Sequence, residues 1–446
     1  MADLSLPAGA APGRELSWRT WVPSVALFQL VYLVAFIDRQ VISLLVTPLK
    51  QSLGLSDVQI GLLQGFAFTL VLSLSSLLTA RMVDKGNRVH LLSGCMLLWC
   101  TMTVASGFAG DFWMLLLCRM GLAIAEAIVP VVVMSIICDI TPRSSIPRAG
   151  ALFLMASYIG SGMALLFGGP LLGWLGAHDG TAFMGFERFE AWRGVFIIVG
   201  APGSLIALGM GILFKEPERL PTVAVLRGGQ SVLAFLRTHK AFILTYMTLI
   251  AGANLINITN YAWVPTYLIR VHGLTAAEAG LSAGAVFVAA GIGGCLFGAW
   301  LMGRTTPERA LRHVVGIMHR IILLLAVPLV LMALVPGPWM TLALLALSVF
   351  LLAIILSSAL TPLQLFAPAD VRGRVSAVAI VYSAALSGIG PLMVGMITDL
   401  GFQQIDRIGY SLAITYAGSV LVAAIAAGAA AAMARRIEEA ASSSVS

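Results

Sequence analysis

The chain has 446 residues, 59% of them hydrophobic and only 11% charged, with a formal net charge of +7; ordinary soluble domains carry roughly 25% charged residues. At a mean hydropathy of +0.96 it cannot cover itself with polar side chains. Apolar runs of about 20 residues, long enough to cross a hydrocarbon core of roughly 30 Å, recur from Trp21 to Arg435, which excludes a soluble protein and also a closed barrel of short alternating strands.

The fold class read from this pattern is all-α and polytopic. The first twenty residues, MADLSLPAGAAPGRELSWRT, lack a basic start, an apolar core and a small-residue cleavage site, so no removable signal is expected and the first span serves as its own insertion signal. Twelve spans follow, at about 20–49, 58–80, 89–109, 112–139, 149–175, 193–214, 241–269, 276–303, 313–335, 338–366, 375–399 and 409–433. They divide into a tail (1–19), a first six-helix bundle (20–214), a linker (215–240), a second six-helix bundle (241–433) and a closing tail (434–446). With the amino terminus inside, the bases outside the membrane sort to one side: apart from Arg39 and Arg119, only Lys50, Arg188, Arg193, Arg270 and Arg407 fall on the opposite side. The charge of +7 therefore reflects orientation, with both termini cytoplasmic, and not nucleic-acid binding.

In the first span, FIDRQVISLL places Asp38 and Arg39 about 27 Å along the helix, in its outer half. Neighbours in sequence point about 100° apart, so these two need partners on another helix. After the second span comes ARMVDKGNRVHLL, with Asp84, Lys85 and Arg88 in a tight turn. It resembles the signature loop of the major facilitator superfamily, Gly-x-Leu-Ala-Asp-Arg-x-Gly-Arg-Arg, with Ala80, Asn87 and Val89 in place of the two glycines and the last arginine. The resemblance implies a cytoplasmic latch in which the loop pairs with an acid ending the fourth helix and a base opening the fifth, positions held by Asp139 and Arg148.

The fourth span, FWMLLLCRMGLAIAEAIVP, carries Arg119 and Glu126 seven residues apart, on one face and about 10 Å apart along the axis. Their depth matches that of Asp38 and Arg39. Four ionisable groups at membrane depth would cost on the order of 10 kcal/mol if each stood alone against lipid. Facing a polar cavity and pairing acid with base removes much of that. A purely structural clamp is the weaker explanation, because buried ion pairs stabilise poorly relative to apolar packing.

The fifth span opens with TPRSSIPRAGALFLMASYIGSGMA, which aligns without a gap to APADVRGRVSAVAIVYSAALSGIG at the eleventh: Pro142 with Pro368, Arg148 with Arg374, Ser157 with Ser383, Ser161-Gly162 with Ser387-Gly388. Duplicated halves with a site between them are the plan of many secondary transporters, and alternating access follows from it. In the seventh span Asn254, Asn257 and Asn260 recur every three residues beside Tyr261, and either line a substrate cavity or bond a neighbouring helix. Tyr158, Tyr382 and Ser383 are further cavity candidates. Asp399 reads as a solvated span end. The five cysteines lie in apolar runs at no metal-ligand spacing and read as small buried hydrophobes, with no metal and no cofactor expected. None of His90, His239, His313 and His319 has a carboxylate at motif spacing, so none receives a role.

With FIDRQ, SDVQIGLLQGFAF, FWMLLLCRMGLAIAEA and WRGVFIIVGAPG followed by FKEPERLP in view, the chain resembles the Spinster family of the major facilitator superfamily, most fully in its first half. The resemblance implies that fold and transport of amphipathic lipids, lysophospholipid or sphingolipid-related, in some members by proton coupling. It assigns the coupling charges to Asp38 and Glu126 and their partners, or substrate contacts, to Arg39 and Arg119. A buried carboxylate keeps its charge while an arginine stays beside it and takes a proton when the arginine leaves; an anionic substrate can compete for that arginine. The expectation is a monomeric, proton-coupled transporter in a bacterial inner membrane, not an enzyme. The alternatives are a transporter of a small soluble organic anion or drug, and a non-transporting receptor. No phosphate-cradling loop suggests an ATP-driven pump.

Overall fold

A computed structural model describes residues 18–141, 146–177, 190–217, 219, 232–304, 310–368 and 371–443. The ordered secondary structure among these residues is helical. Twelve segments are long and apolar enough to cross a membrane: Val22–Leu44, Asp57–Thr79, Arg88–Ser106, Phe112–Ile140, Met155–Gly176, Ala191–Leu213, Lys240–His272, Ala276–Met302, Leu311–Met332, Pro338–Phe366, Arg372–Phe402 and Ile405–Glu439. An even number of crossings returns the chain to the side on which it began. The loops joining odd to even spans therefore share one face, the far face, and the chain ends share the other, the terminal face.

Helix contacts repeat with a shift of six. First packs on fifth, second on fourth and third on sixth; correspondingly, seventh packs on eleventh, eighth on tenth and ninth on twelfth. Across the two halves the fifth span meets the eighth and the second meets the eleventh, a pair related by the same shift. Lipid tails are as apolar as leucine, so close backbone approach and interhelical hydrogen bonds hold these helices together. At the fifth–eighth crossing a side chain on Gly280 would begin 2.5 Å from the Leu165 carbonyl oxygen. At the second–eleventh crossing one on Gly61 would overlap the Pro391 carbonyl.

Several spans are broken, and prolines explain where. A proline lacks the amide hydrogen owed to the carbonyl four residues earlier and clashes with it. Pro48 stands four after Leu44, where a short 3-10 turn, Val41–Leu44, follows the first helix, Trp18–Gln40. Pro130 stands four after Glu126, where the fourth span divides into Phe112–Glu126 and Val129–Ile140. Pro362 and Pro391 stand four after Ser358 and Ser387, where the tenth and eleventh spans break in the same way. Two of the breaks thus lie beside the ionisable residues of the first half.

The buried apolar side chains form two clusters. One stays within the first half, from Val25 and Phe28 to Met210; the other joins far-side residues of the first half, such as Val41, Leu49, Ile60 and Trp192, to the second half. The halves are fused toward the far face. Asp57, fully buried at the start of the second span, accepts Lys50 Nζ at 2.6 Å and a two-pronged contact from Arg270 of the seventh span, Nη1 at 2.8 Å and Nη2 at 2.9 Å. Asp399 is not a solvated end: its Oδ2 accepts the Val58 amide from the other half at 2.8 Å, filling one of the donors that a helix start leaves open.

Candidate functional site: a charged cluster behind two helix breaks

The helix carrying Asp38 and Arg39 stops at Gln40, and the one carrying Glu126 stops there. Arg39 reaches across to Glu126: Nε lies 3.0 Å from Oε2 and Nη2 bonds the same oxygen more closely. The Arg39 guanidinium carbon sits 4.8 Å from the Phe36 ring centre and 4.7 Å from that of Phe68, so two aromatic rings lie against the cation. Its side chain is 24% exposed, whereas that of Glu126 is 1% exposed. Nη1 of Arg39 has no partner among the described residues, leaving one donor edge free.

Arg119 behaves differently. The sequence reading offers it to substrate; the structure buries it to 2% exposure and turns its donors onto backbone, Nη2 to the Arg39 carbonyl at 3.0 Å and Nη1 to the Asp38 carbonyl at 3.4 Å. These carbonyls end a broken helix, where acceptors lack intrahelical donors and the dipole favours a cation. Arg119 therefore caps the first helix. Its guanidinium also stands 5.2 Å from the Phe68 ring, which lies against both arginines.

Asp38 is fully buried and has no cation within ion-pair distance among the described residues. Cys100 Sγ lies 3.9 Å from its Oδ2, and Trp99 lies beside it. Asp38 Oδ1 and Glu126 Oε1 are both buried with no hydrogen-bond partner. An acceptor left in that state carries a penalty that a proton, by making it a donor or removing its charge, relieves.

The polar candidates of the second half separate by face. Asn254 and Asn257 are half-buried, with Thr248 a turn and a half earlier, and Tyr382 from the eleventh span approaches Thr248 Oγ1 at 3.3 Å. Asn260 points elsewhere: it is fully buried and its Oδ1 accepts the Tyr416 hydroxyl of the twelfth span at 2.6 Å, making it interhelical glue. Tyr261 is buried against Phe287, centroids 4.5 Å apart, and Ser383 is buried. Tyr158 is buried with its hydroxyl unpartnered.

At the terminal face, Arg88 is the hub. Its buried guanidinium donates to Asp139 Oδ2, to Ser135 Oγ at 2.9 Å, to Glu216 Oε1 at 2.6 Å and to the Pro217 carbonyl at 3.3 Å. The Val89 amide donates to Glu216 Oε2 at 3.1 Å, and Arg219 caps the carbonyl of Val83 at 3.0 Å. This ties the second–third loop to the ends of the fourth and sixth spans within one half. The side chains of Asp84, Lys85 and Arg148 lie outside the described residues. Sequence reasoning missed Glu216; the signal was an acid directly after the sixth span in KEPERLP, facing buried bases. Burial alone would push the Glu216 carboxyl up, but the hydrogen bonds from Arg88 and the Val89 amide outweigh it and hold the group below the usual carboxylate range. Among the cysteines, Cys100 and Cys118 are buried but Cys138 is exposed, contrary to the reading of all five as buried fillers. Among the described residues no cluster of metal ligands occurs.

The sequence matches the Major Facilitator Superfamily over residues 29–391. An MFS-type efflux pump of Mycolicibacterium smegmatis is 30% identical over 438 residues, covering 95% of each chain. A probable L-galactonate transporter of Escherichia coli is 27% identical over 303 residues, 64% of this chain and 63% of that protein. Among solved structures, a bacterial homolog to the human lysosomal transporter Spinster, in an inward-facing and occupied conformation, superposes with a TM-score of 0.76 at 26% identity, covering 94% of this chain and 97% of that one.

Proposed function

The chain belongs to the major facilitator superfamily and is a Spinster-like secondary transporter rather than an enzyme, and from that premise we propose that it couples a proton gradient, by alternating access, to movement of an anionic, amphipathic, lipid-like substrate. The observation that carries the reading is the pair of buried carboxylate oxygens, Asp38 Oδ1 and Glu126 Oε1, left without donors beside an arginine with one free edge. In the state with Arg39 on Glu126, the charges of those two groups offset each other. An anionic headgroup arriving from the half-buried stripe of Asn254 and Asn257 meets the free edge of Arg39. As it draws the guanidinium away, Glu126 is left in an apolar setting and takes a proton. When the halves rock and the substrate departs, Arg39 returns and the proton leaves. Asp38, lacking a cation of its own, is the second proton acceptor.

The two halves, 20–214 and 241–433, are the rocking bodies. The terminal face is cytoplasmic, by the asymmetry of basic residues, so the far face, where the halves are joined, is the side away from the cytoplasm. The protein functions as a monomer in a bacterial inner membrane. The Spinster likeness supports a lipid-like substrate, whereas the efflux-pump and galactonate-transporter relatives support a second reading, a small soluble organic anion or drug. Uptake into proteoliposomes of labelled lysophospholipid and of soluble organic anions, with and without an inwardly directed proton gradient (acid outside), decides between them. Gradient-stimulated lysophospholipid uptake is expected; stimulation confined to the soluble anions would replace the first reading with the second.

A further inference from the structure

The charged cluster lies wholly in the first half, yet transport requires both halves to move. Gln40 directly follows Arg39 at the end of the first helix and is 7% exposed. Its Nε2 donates to the Tyr261 carbonyl of the seventh span at 2.5 Å and to Ser43 Oγ at 3.0 Å. The acceptor is unusual for a helix interior. Residue 265 is a proline inside the helix Lys240–His272, and four residues earlier stands Tyr261, whose carbonyl is deprived of its regular helical donor. Three residues past Gln40, the Ser43 carbonyl accepts the Thr266 hydroxyl at 3.3 Å, so the 3-10 turn and the proline region of the seventh span are stitched twice.

We propose that Gln40 is the positioning residue that carries the state of the Arg39–Glu126 pair to the other half, by holding a proline-freed carbonyl only while Arg39 is docked. The inference rests on the proton-exchange reading above. Arg39 and Gln40 share the last turn of one helix, capped by Arg119; undocking Arg39 rotates that turn and draws the Gln40 amide off Tyr261. The far face then loses a seam that lies between the charged cluster and the Asp57–Arg270 clasp. The titratable and charged groups facing the pair are Asp38 and Tyr32 on the same helix, Arg119 on the fourth span and Cys100 on the third.

The test measures far-face separation with spin labels at Gln51→Cys and Gln404→Cys, both exposed on that face, in full-length protein whose native cysteines are alanine. Gln40→Leu keeps the shape and removes the donor. A hydrogen bond between membrane helices is worth about 0.6 kcal/mol on average and up to about 1.7, so the far-side-open fraction should rise roughly three- to twentyfold at pH 8. In addition, the change in distance distribution between pH 8 and pH 5 seen in the parent should shrink in Gln40→Leu, which simple loosening would not produce. Thr266→Val, removing the neighbouring stitch, should open the far face while keeping the pH response, and serves if Gln40→Leu folds poorly. Distances in Gln40→Leu equal to the parent's at both pH values would overturn the role of Gln40. Glu126→Gln separates the two ideas: a pH response there as large as the parent's removes the charge pair as sensor, whereas a silent Glu126→Gln with an unaltered Gln40→Leu removes only Gln40.

Discussion

At membrane depth the first six spans hold Asp38, Arg39, Arg119 and Glu126; the second six, built on the same helix contacts, hold Asn254, Asn257, Asn260 and Tyr382 in corresponding central territory. Both halves pack. The second does so with amide and hydroxyl bonds such as Asn260–Tyr416, and among the described residues no ion pair at membrane depth joins its helices to one another, Arg270 being paired with Asp57 of the first half. Architecture therefore does not require the charges of the first half, and their cost falls to function. On the reading proposed above, the half with the buried carboxylates senses protons, and the other half meets the uncharged part of a substrate and yields the carbonyl that the first half grips.

The largest expected effect that sharpens this contrast is at Glu126. Glu126→Gln should abolish the gradient-driven component of uptake while leaving yield and monodispersity unchanged; full gradient-driven uptake would erase the distinction between the halves. Next is Arg119→Ala, which strips the cap from the first helix and leaves buried acid in excess. Removing one partner of a buried charge set costs about 3–5 kcal/mol, so melting in detergent should fall on the order of 10 °C. A fall confined to substrate affinity, with melting intact, would return Arg119 to the substrate. Asp57→Asn leaves Arg270 and Lys50 without a counter-charge where the halves meet, and far-face labels should report a severalfold gain of the open state. No gain would show that the apolar seam alone closes that face.

Smaller effects probe the clasp and the neutral half. The carboxyl of Glu216 is held below its ordinary value of 4.5, so its contribution is fully present above that pH and is lost as pH falls through the folded-state value. Glu216→Gln should cost about 1 kcal/mol or less at pH 7, given its partial exposure, and should narrow the melting difference between pH 7 and pH 4. An unchanged difference would place the acid sensitivity elsewhere. Smallest is Asn260→Leu, which forfeits one interhelical bond worth about 0.6 kcal/mol and should leave transport intact. Lost transport at normal stability would move Asn260 from glue to cavity.

What the sequence made legible was depth. Apolar run lengths placed the twelve spans, and counting 1.5 Å per residue put Asp38 and Arg39 in the outer half with Arg119 and set Glu126 nearer the middle; the structure pairs Arg39 with Glu126. Azimuth was harder to read. A span with a mean preference for lipid has a weak apolar stripe, so the spacing of Asn254, Asn257 and Asn260 did not reveal that the third faces the twelfth span and the first two do not. Nor did type and depth distinguish Arg119 from Arg39, because the difference is made by a helix break that frees carbonyls, and only Pro48, several residues on, hints at it. Asp399 and Glu216 escaped for a related reason: each lies at a span end, where an acid facing water and an acid capping a neighbour look alike until the neighbour is in place.

The glycine crossings have a consequence for traffic through the bilayer. Toward the far face, both seams between the halves meet backbone on backbone: Gly169 and Gly280 face Ala276 and Leu165 carbonyls at one, and Gly61 and Gly65 face Pro391 and Gly388 at the other. No hydrocarbon tail can thread a contact that a single methyl group would already overfill. A lipid-like substrate of the kind proposed above, were it to arrive sideways from the membrane, would find both far-side seams shut in this conformation and would have to come from the leaflet nearer the chain ends, so the two monolayers would be sorted before any headgroup was recognised.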